Sequence, residues 1–226
     1  MKRWVNYSLL LLIIPITIWL GITLFADRSY VFISLVIVLL TLLPFFITFE
    51  KRQTSTRLLV VLAVLVALSV VGRFLFAAIP GFKPVTAIVI LSAIYFGAEA
   101  GFLVGALTAL ISNIYFGQGP WTPFQMFAWG IIGFSAGLPL IRRLLVNSKL
   151  ALLLIGMFSG IFFSLLMDIW TVLSIDGTFN WKRYVTAVGL SVPFMITYAI
   201  SNVIFLFLTI KPIGEKLARI KMKYGI

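Results

Sequence analysis

Long apolar runs recur along this chain, and a run of that length leaves a segment few options. Inside a bilayer no water meets the backbone N–H and C=O groups, so each segment must satisfy them within itself. A stretch of about 20 residues wound as an α-helix does so and spans the hydrocarbon core. Eight candidate spans follow one another: residues 8–26, 30–49, 57–79, 85–98, 101–116, 123–141, 150–175 and 184–210. The fourth and fifth are short and meet at Gly97-Ala98-Glu99-Ala100-Gly101, which reads as a tight helical hairpin. Lys2 and Arg3 precede the first run in the manner of a secretory signal. That run is long, has no clear small-residue cleavage site and is followed almost at once by another, so it reads as a retained helix. These runs leave little of the 226 residues for any domain outside the membrane. With 62% hydrophobic and 11% charged residues and a mean hydropathy of +1.16, a water-soluble surface cannot be assembled. The expected fold class is an all-α integral membrane protein of the cell membrane.

Orientation follows from the Lys and Arg residues. With the N-terminus placed inside, thirteen of the 18 fall in inner connections and at the termini, while Arg28, Lys83, Lys182 and Arg183 fall outside and Arg73 lies within a span. This bias puts both termini in the cytoplasm and requires an even number of spans. The net charge of +12 is therefore a topology signal, not a nucleic-acid footprint. The outer loops become residues 27–29, 80–84, 117–122 and 176–183, and a functional pocket is expected to face outward.

The chain has no cysteine and no histidine, which removes the commonest metal ligands, the usual general base and the thiolate nucleophile. No catalytic residue and no metal ligand is assigned. The polar signal is concentrated instead between the fifth and sixth spans, in Asn113-Ile-Tyr-Phe-Gly-Gln-Gly-Pro-Trp-Thr-Pro-Phe-Gln-Met-Phe-Ala-Trp129. Its Gly-Gln118-Gly-Pro turn reverses the backbone, and Pro123 suits the first turn of the next helix. Thr122, Gln125, Met126 and Trp129 then share one helical face beside Trp121. Such a stripe offers rings to stack on and amides to satisfy the edges of a flat ligand rich in heteroatoms. The plainer reading is an interfacial aromatic belt with Gln125 bridging helices. Asn113 and Gln125 tip the balance, because unpaired amides at lipid depth are costly.

Two charges fall inside spans. Arg73 either lines a cavity or snorkels to the headgroups, and Asp168 either serves the ligand or pairs with a cation, Arg73 among the candidates. Trp170, Asp176, Asn180, Trp181 and Tyr184 line the outer loop that follows and together resemble a lid. Small residues repeat every four positions at Gly97, Gly101, Gly105 and Ala109, at Ala63 and Ala67, at Gly133 and Gly137, and at Gly156 and Gly160. Most of these stripes are expected to pack inside the bundle and one to form a docking face.

Between Arg57 and Lys211 the chain resembles the substrate-binding S-components of energy-coupling factor (ECF) transporters, ATP-driven vitamin importers of the ABC class. The resemblance is carried by Arg73-Phe-Leu-Phe, Pro80-Gly-Phe-Lys-Pro-Val-Thr-Ala, Phe96-Gly-Ala-Glu-Ala-Gly-Phe-Leu-Val-Gly-Ala and Gly117-Gln-Gly-Pro-Trp-Thr-Pro-Phe-Gln-Met. It implies a six-helix substrate-binding core over residues 57–211. Two extra transmembrane helices over residues 1–56 would precede it as an appendage, and a basic cytoplasmic tail over 212–226 would follow. It further implies a membrane scaffold subunit, contacted through Ala63 and Ala67, and two cytoplasmic ATPases. Vitamin capture at the outer face would precede reorientation of the whole subunit on the scaffold. Within the family the long outer loops and the rim of Lys83, Trp121, Trp181 and Lys182 resemble the cobalamin type, with a queuosine precursor or another micronutrient as alternatives. No cofactor is implied beyond the transported ligand.

No Walker-type phosphate loop occurs, so energy must come from partners or from a gradient. A gradient-driven secondary transporter is the second reading, weakened by the single deep acid and the lack of a convincing repeat. An intramembrane enzyme lacks its nucleophile and base. A purely structural subunit would carry the same stripes and belts, and the polar outer stripe is what separates it from a binding protein.

Overall fold

The computed structural model describes residues 56–176 and 179–226, so the two expected N-terminal helices lie outside the described residues. The described chain is helical: α1 (Thr56–Leu75), α2 (Val85–Phe96), α3 (Ala98–Phe116), α4 (Trp121–Gly137), α5 (Pro139–Asn147), α6 (Lys149–Asp176), α7 (Trp181–Thr209) and α8 (Pro212–Tyr224). Of these, α1, α3, α6 and α7 are long and apolar enough to cross a bilayer, and α4 with α5 passes the same test as a bent pair.

At 12 residues α2 is too short to span about 30 Å of hydrocarbon at 1.5 Å per residue. It is instead sheathed by protein, with every residue from Val85 to Ile94 buried. Gly97 joins it to α3 at φ 99°, a left-handed conformation that a side chain would strain, so the hairpin expected there is made. The neighbouring segment is not one straight helix. Within residues 123–141 Leu138 is extended and α5 leaves α4 at 75°. Pro139, which cannot donate a backbone hydrogen bond, starts the new helix where no donor is needed. The expected tail is also a helix: α8 buries Leu217, sets Gly214 against the Tyr95 ring, and donates from Lys221 Nζ to the Tyr95 carbonyl at 2.7 Å.

The glycine stripes explain how closely the helices approach. On α3, Gly101 faces the backbone of Gly133 and Gly105 that of Trp129 and Gly130, while Gly137 of α4 abuts Ala98. On α6, Gly156 faces Leu206 and Gly160 the backbone of Tyr198 and Ala199, and Asn202 Nδ2 donates to the Gly156 carbonyl at 3.0 Å. Ala63 and Ala67 stand apart: both are exposed, on a face of α1 that also shows Val60, Val64 and Leu68 to the surroundings.

The bundle has two unlike ends. At one, the end of α1 meets α3 and the turn 117–120 through Arg73, Asn113, Gln118 and Thr122, and the loop 76–84 runs from there onto α7 at Tyr198, Ser201 and Phe205. At the other, Arg57 of α1 lies over the Tyr224 ring, and α8 and α5 bring Lys221 and Arg142 within electrostatic reach.

Candidate functional site

The last turn of α1 aims Arg73 inward, not toward lipid. Its Nη1 donates to Ser112 Oγ and to Asn113 Oδ1, the latter at 2.8 Å. The Asn113 amide, itself fully buried, donates onward to Thr122 Oγ1 and Gln125 Oε1, both at 2.9 Å. Thr122 donates to Gln118 Oε1 at 2.9 Å, and Gln118 Nε2 donates to the Leu110 carbonyl at 2.7 Å, which ties the Gly-rich turn back onto α3. Arg73 of α1 and the segment 110–125 thus form one chain of hydrogen bonds. The cost of burying each polar group is met by the next.

Beside this network lies an aromatic box. Trp129 stacks on Phe163 of α6, centroids 5.0 Å apart and planes at 17°, and Phe163 meets Tyr198 of α7 edge-on at 5.2 Å. The Lys83 ammonium enters from the loop and sits 5.2 Å from Trp129, 5.5 Å from Phe163 and 5.0 Å from Tyr198. Its backbone is fixed on α7, where Ser201 Oγ accepts from Lys83 N at 2.8 Å and donates to Lys83 O at 3.1 Å. Phe76, Phe82 and Phe205 hold the same loop down, with ring centroids 5.0 to 5.5 Å apart. Arg73 lies over Phe116 at 4.5 Å and over Trp129 at 5.4 Å. Two cations therefore converge on one indole, and the Lys83 ammonium has rings around it but no hydrogen-bond acceptor among the described residues. Cation–π contact offsets part of the desolvation, and an acceptor supplied by a ligand would offset more.

Asp168 does not pair with Arg73. Its Oδ2 accepts from Ser191 Oγ at 2.6 Å across the α6–α7 seam, within electrostatic reach of Tyr198. Met126 is core, fully buried among apolar neighbours. Trp170 packs on Phe124 at 5.4 Å, and Trp121 lies against Gly119. The expected lid resolves into local structure. Asn180 caps α7 by accepting from Arg183 N, Arg183 also pairs with Asp176 at 2.5 Å, and Trp181 and Tyr184 cluster with Phe179. Trp181 is 70% exposed and Lys182 is exposed. The rim predicted from Lys83, Trp121, Trp181 and Lys182 is therefore dispersed, since Lys83 turns inward while the others stay at the periphery.

Sequence reasoning missed Ser112, Phe163, Tyr198 and Ser201. Ser112 could have been found as the hydroxyl next to Asn113 at lipid depth. Phe163 and Tyr198 lie in ordinary apolar runs and carry no local signal.

A helical membrane bundle with an amide–guanidinium network and an aromatic box side by side has the makings of a membrane-embedded solute-binding protein. Residues 53–213, well over half the chain, match the family model described as ECF-type riboflavin transporter, S component, and the chain belongs to that family. It is thereby a multi-pass protein of the cell membrane and the substrate-binding subunit of an ECF-type vitamin transporter, not an enzyme. The matching model is that of the riboflavin type, so the expected cobalamin type finds no support. No curated protein and no solved structure matches the chain.

Proposed function

We propose that the chain captures riboflavin at the loop end of the bundle and delivers it across the membrane through partner subunits. The observation that carries the reading is the Trp129 indole, stacked on Phe163 and flanked by Lys83 and Arg73, with the Asn113–Gln125 amides alongside. An isoalloxazine needs this combination: rings against its faces, donors for its carbonyl edge, and amides for its imide. The family match over residues 53–213 supports the same ligand. Asp168 and Ser191 offer acceptors suited to a ribityl hydroxyl chain.

In this reading the loop end faces outward and the basic end the cytoplasm, as the Lys and Arg distribution favours. The partners are a membrane scaffold subunit and two ATPases, and the exposed Ala63–Ala67 face of α1 is where the scaffold's helices would approach closely.

Riboflavin binding to the purified protein, followed by quenching of flavin fluorescence, tests the proposal. One riboflavin per chain is expected without any partner, with binding lost in Trp129→Ala and with cobalamin unable to compete. A wild-type protein that leaves flavin fluorescence unchanged while binding another vitamin would overturn the ligand and keep the family.

A further inference from the structure

The surroundings of Lys83 are unfavourable to its charged form. Ser201 of α7 holds the Lys83 backbone at both its N–H and its carbonyl, and the side chain lies against three rings. No acceptor among the described residues meets the ammonium, and a second cation, Arg73, shares the Trp129 indole with it at 5.4 Å. An ammonium is strongly hydrated, so rings replace only part of what water gave it, and a neighbouring like charge adds repulsion. We propose that Lys83 gains a proton when a carbonyl-bearing ligand binds, so that capture is coupled to proton uptake. The coupling rests on the reading of the Trp129 box as the riboflavin site and adds to it a regulation by pH.

The groups that face Lys83 from each neighbouring element agree with this. From α1 comes the Arg73 guanidinium. Helix α7 offers the Tyr198 phenol and the Ser201 hydroxyl, the latter already committed to the Lys83 backbone. Helix α6 carries Asp168, whose carboxylate accepts from Ser191 and reaches Tyr198 electrostatically without bonding to Lys83. Helix α4 has no titratable side chain, and the tyrosine of α2, Tyr95, lies at its far end against α8. Burial first and the Arg73 charge second bring Lys83 down from the ordinary lysine value of 10.5 to about 7. An ordinary lysine would stay charged through the neutral range, whereas this one changes charge within it.

The sign of the effect follows from which form the ligand prefers. A ligand carbonyl accepts a charge-assisted hydrogen bond from the ammonium and so favours the protonated lysine. The ligand-bound protein therefore holds the proton to a higher pH than the free protein does. Affinity is greatest below the free-protein value, falls as pH rises through it, and levels off once the bound form has also lost its proton. The total fall equals the worth of the charge to binding, about ten-fold. A ligand captured on the more acidic side of a membrane is thus held less tightly on a more alkaline side.

Riboflavin titrations of the purified full chain, read by flavin fluorescence from about pH 6 to about pH 9, test this. Affinity should weaken about ten-fold across that range. Calorimetry in two buffers of different ionisation enthalpy should show about half a proton taken up per riboflavin near the midpoint. Lys83→Met, which has no proton to gain, and Lys83→Arg, whose guanidinium keeps its own, should each bind with an affinity that is flat over the same range. A wild-type affinity that does not change with pH, binding without proton uptake, or a slope that survives in Lys83→Met would overturn the proposal while leaving riboflavin as the ligand. Failure of the wild type to bind riboflavin at any pH would defeat the ligand reading and the coupling with it.

Discussion

The α3–α4 pair and the α6–α7 pair both meet through glycine, yet they are built to different tolerances. In the first, backbone presses on backbone at Gly101, Gly105 and Gly133, and 61% of the most apolar stretch of α3 is buried. In the second, Gly160 meets the Tyr198–Ala199 backbone but Gly156 only the end of the Leu206 side chain, α7 carries Pro193 in its middle, and only 22% of the α7 apolar stretch is buried. The proposed substrate site lies on the seam between them. Arg73, Asn113, Gln125 and Trp129 are placed by the tight side, while Phe163, Asp168 and Tyr198 come from the loose one. Fixed polar groups on a rigid wall give recognition, and a less constrained wall leaves room to open for a ligand that must pass Trp129, itself 1% exposed.

Breaking the tight pair should have the largest effect. Gly105→Val would drive a branched side chain into the Trp129 backbone, where nothing flexible can yield, at a cost of about 3 kcal/mol or more. Loss of monodisperse protein in size-exclusion chromatography is the expected result, and a well-behaved variant would refute the contrast. Next is Asn113→Ala, which leaves Arg73, Thr122 and Gln125 each short of a partner. Riboflavin affinity should fall about a hundred-fold, the equivalent of one charged and one neutral buried hydrogen bond, as read by fluorescence titration.

Lys83→Met sharpens the comparison from the loop side. The ammonium has no acceptor among the described residues, so the ligand-free melting temperature should hold within a few degrees while riboflavin binds roughly ten-fold more weakly. A large fall in ligand-free stability would mean that Lys83 serves the fold and not the ligand. The smallest effect belongs to Gly156→Ala, where the new methyl meets only the movable end of Leu206. A loss of roughly 1 kcal/mol or less is expected, measured as a shift of a few degrees in thermal unfolding. If Gly156→Ala proves as damaging as Gly105→Val, the two seams are equally tight.

The places where the sequence could be read share a cause. Gly97 marked the hairpin because only a residue without Cβ sits easily at φ 99°, and the four-residue glycine spacing marked the close helix seams because it repeats once per turn. Asn113, Thr122 and Gln125 were legible because a polar group at lipid depth needs a partner. The break at Leu138 and the helix at residues 212–224 were missed for a different reason. Hydropathy averages over about 19 residues, and at such borders it does not distinguish a span from an amphipathic helix lying along the surface.

By itself the sequence determined the class of the molecule, because hydrocarbon tolerates only segments that satisfy their own backbone, and the chain supplies such segments one after another. It also determined which groups could not be idle: an arginine, an asparagine and an aspartate at depth. The tertiary structure decided who meets whom. Arg73 finds Asn113 and not Asp168, Asp168 finds Ser191, and Lys83 folds inward beneath three rings drawn from three helices. Pairing across a bundle depends on how the helices are rotated and how closely they approach. Those quantities are fixed by all the packing contacts at once, and no single segment encodes them.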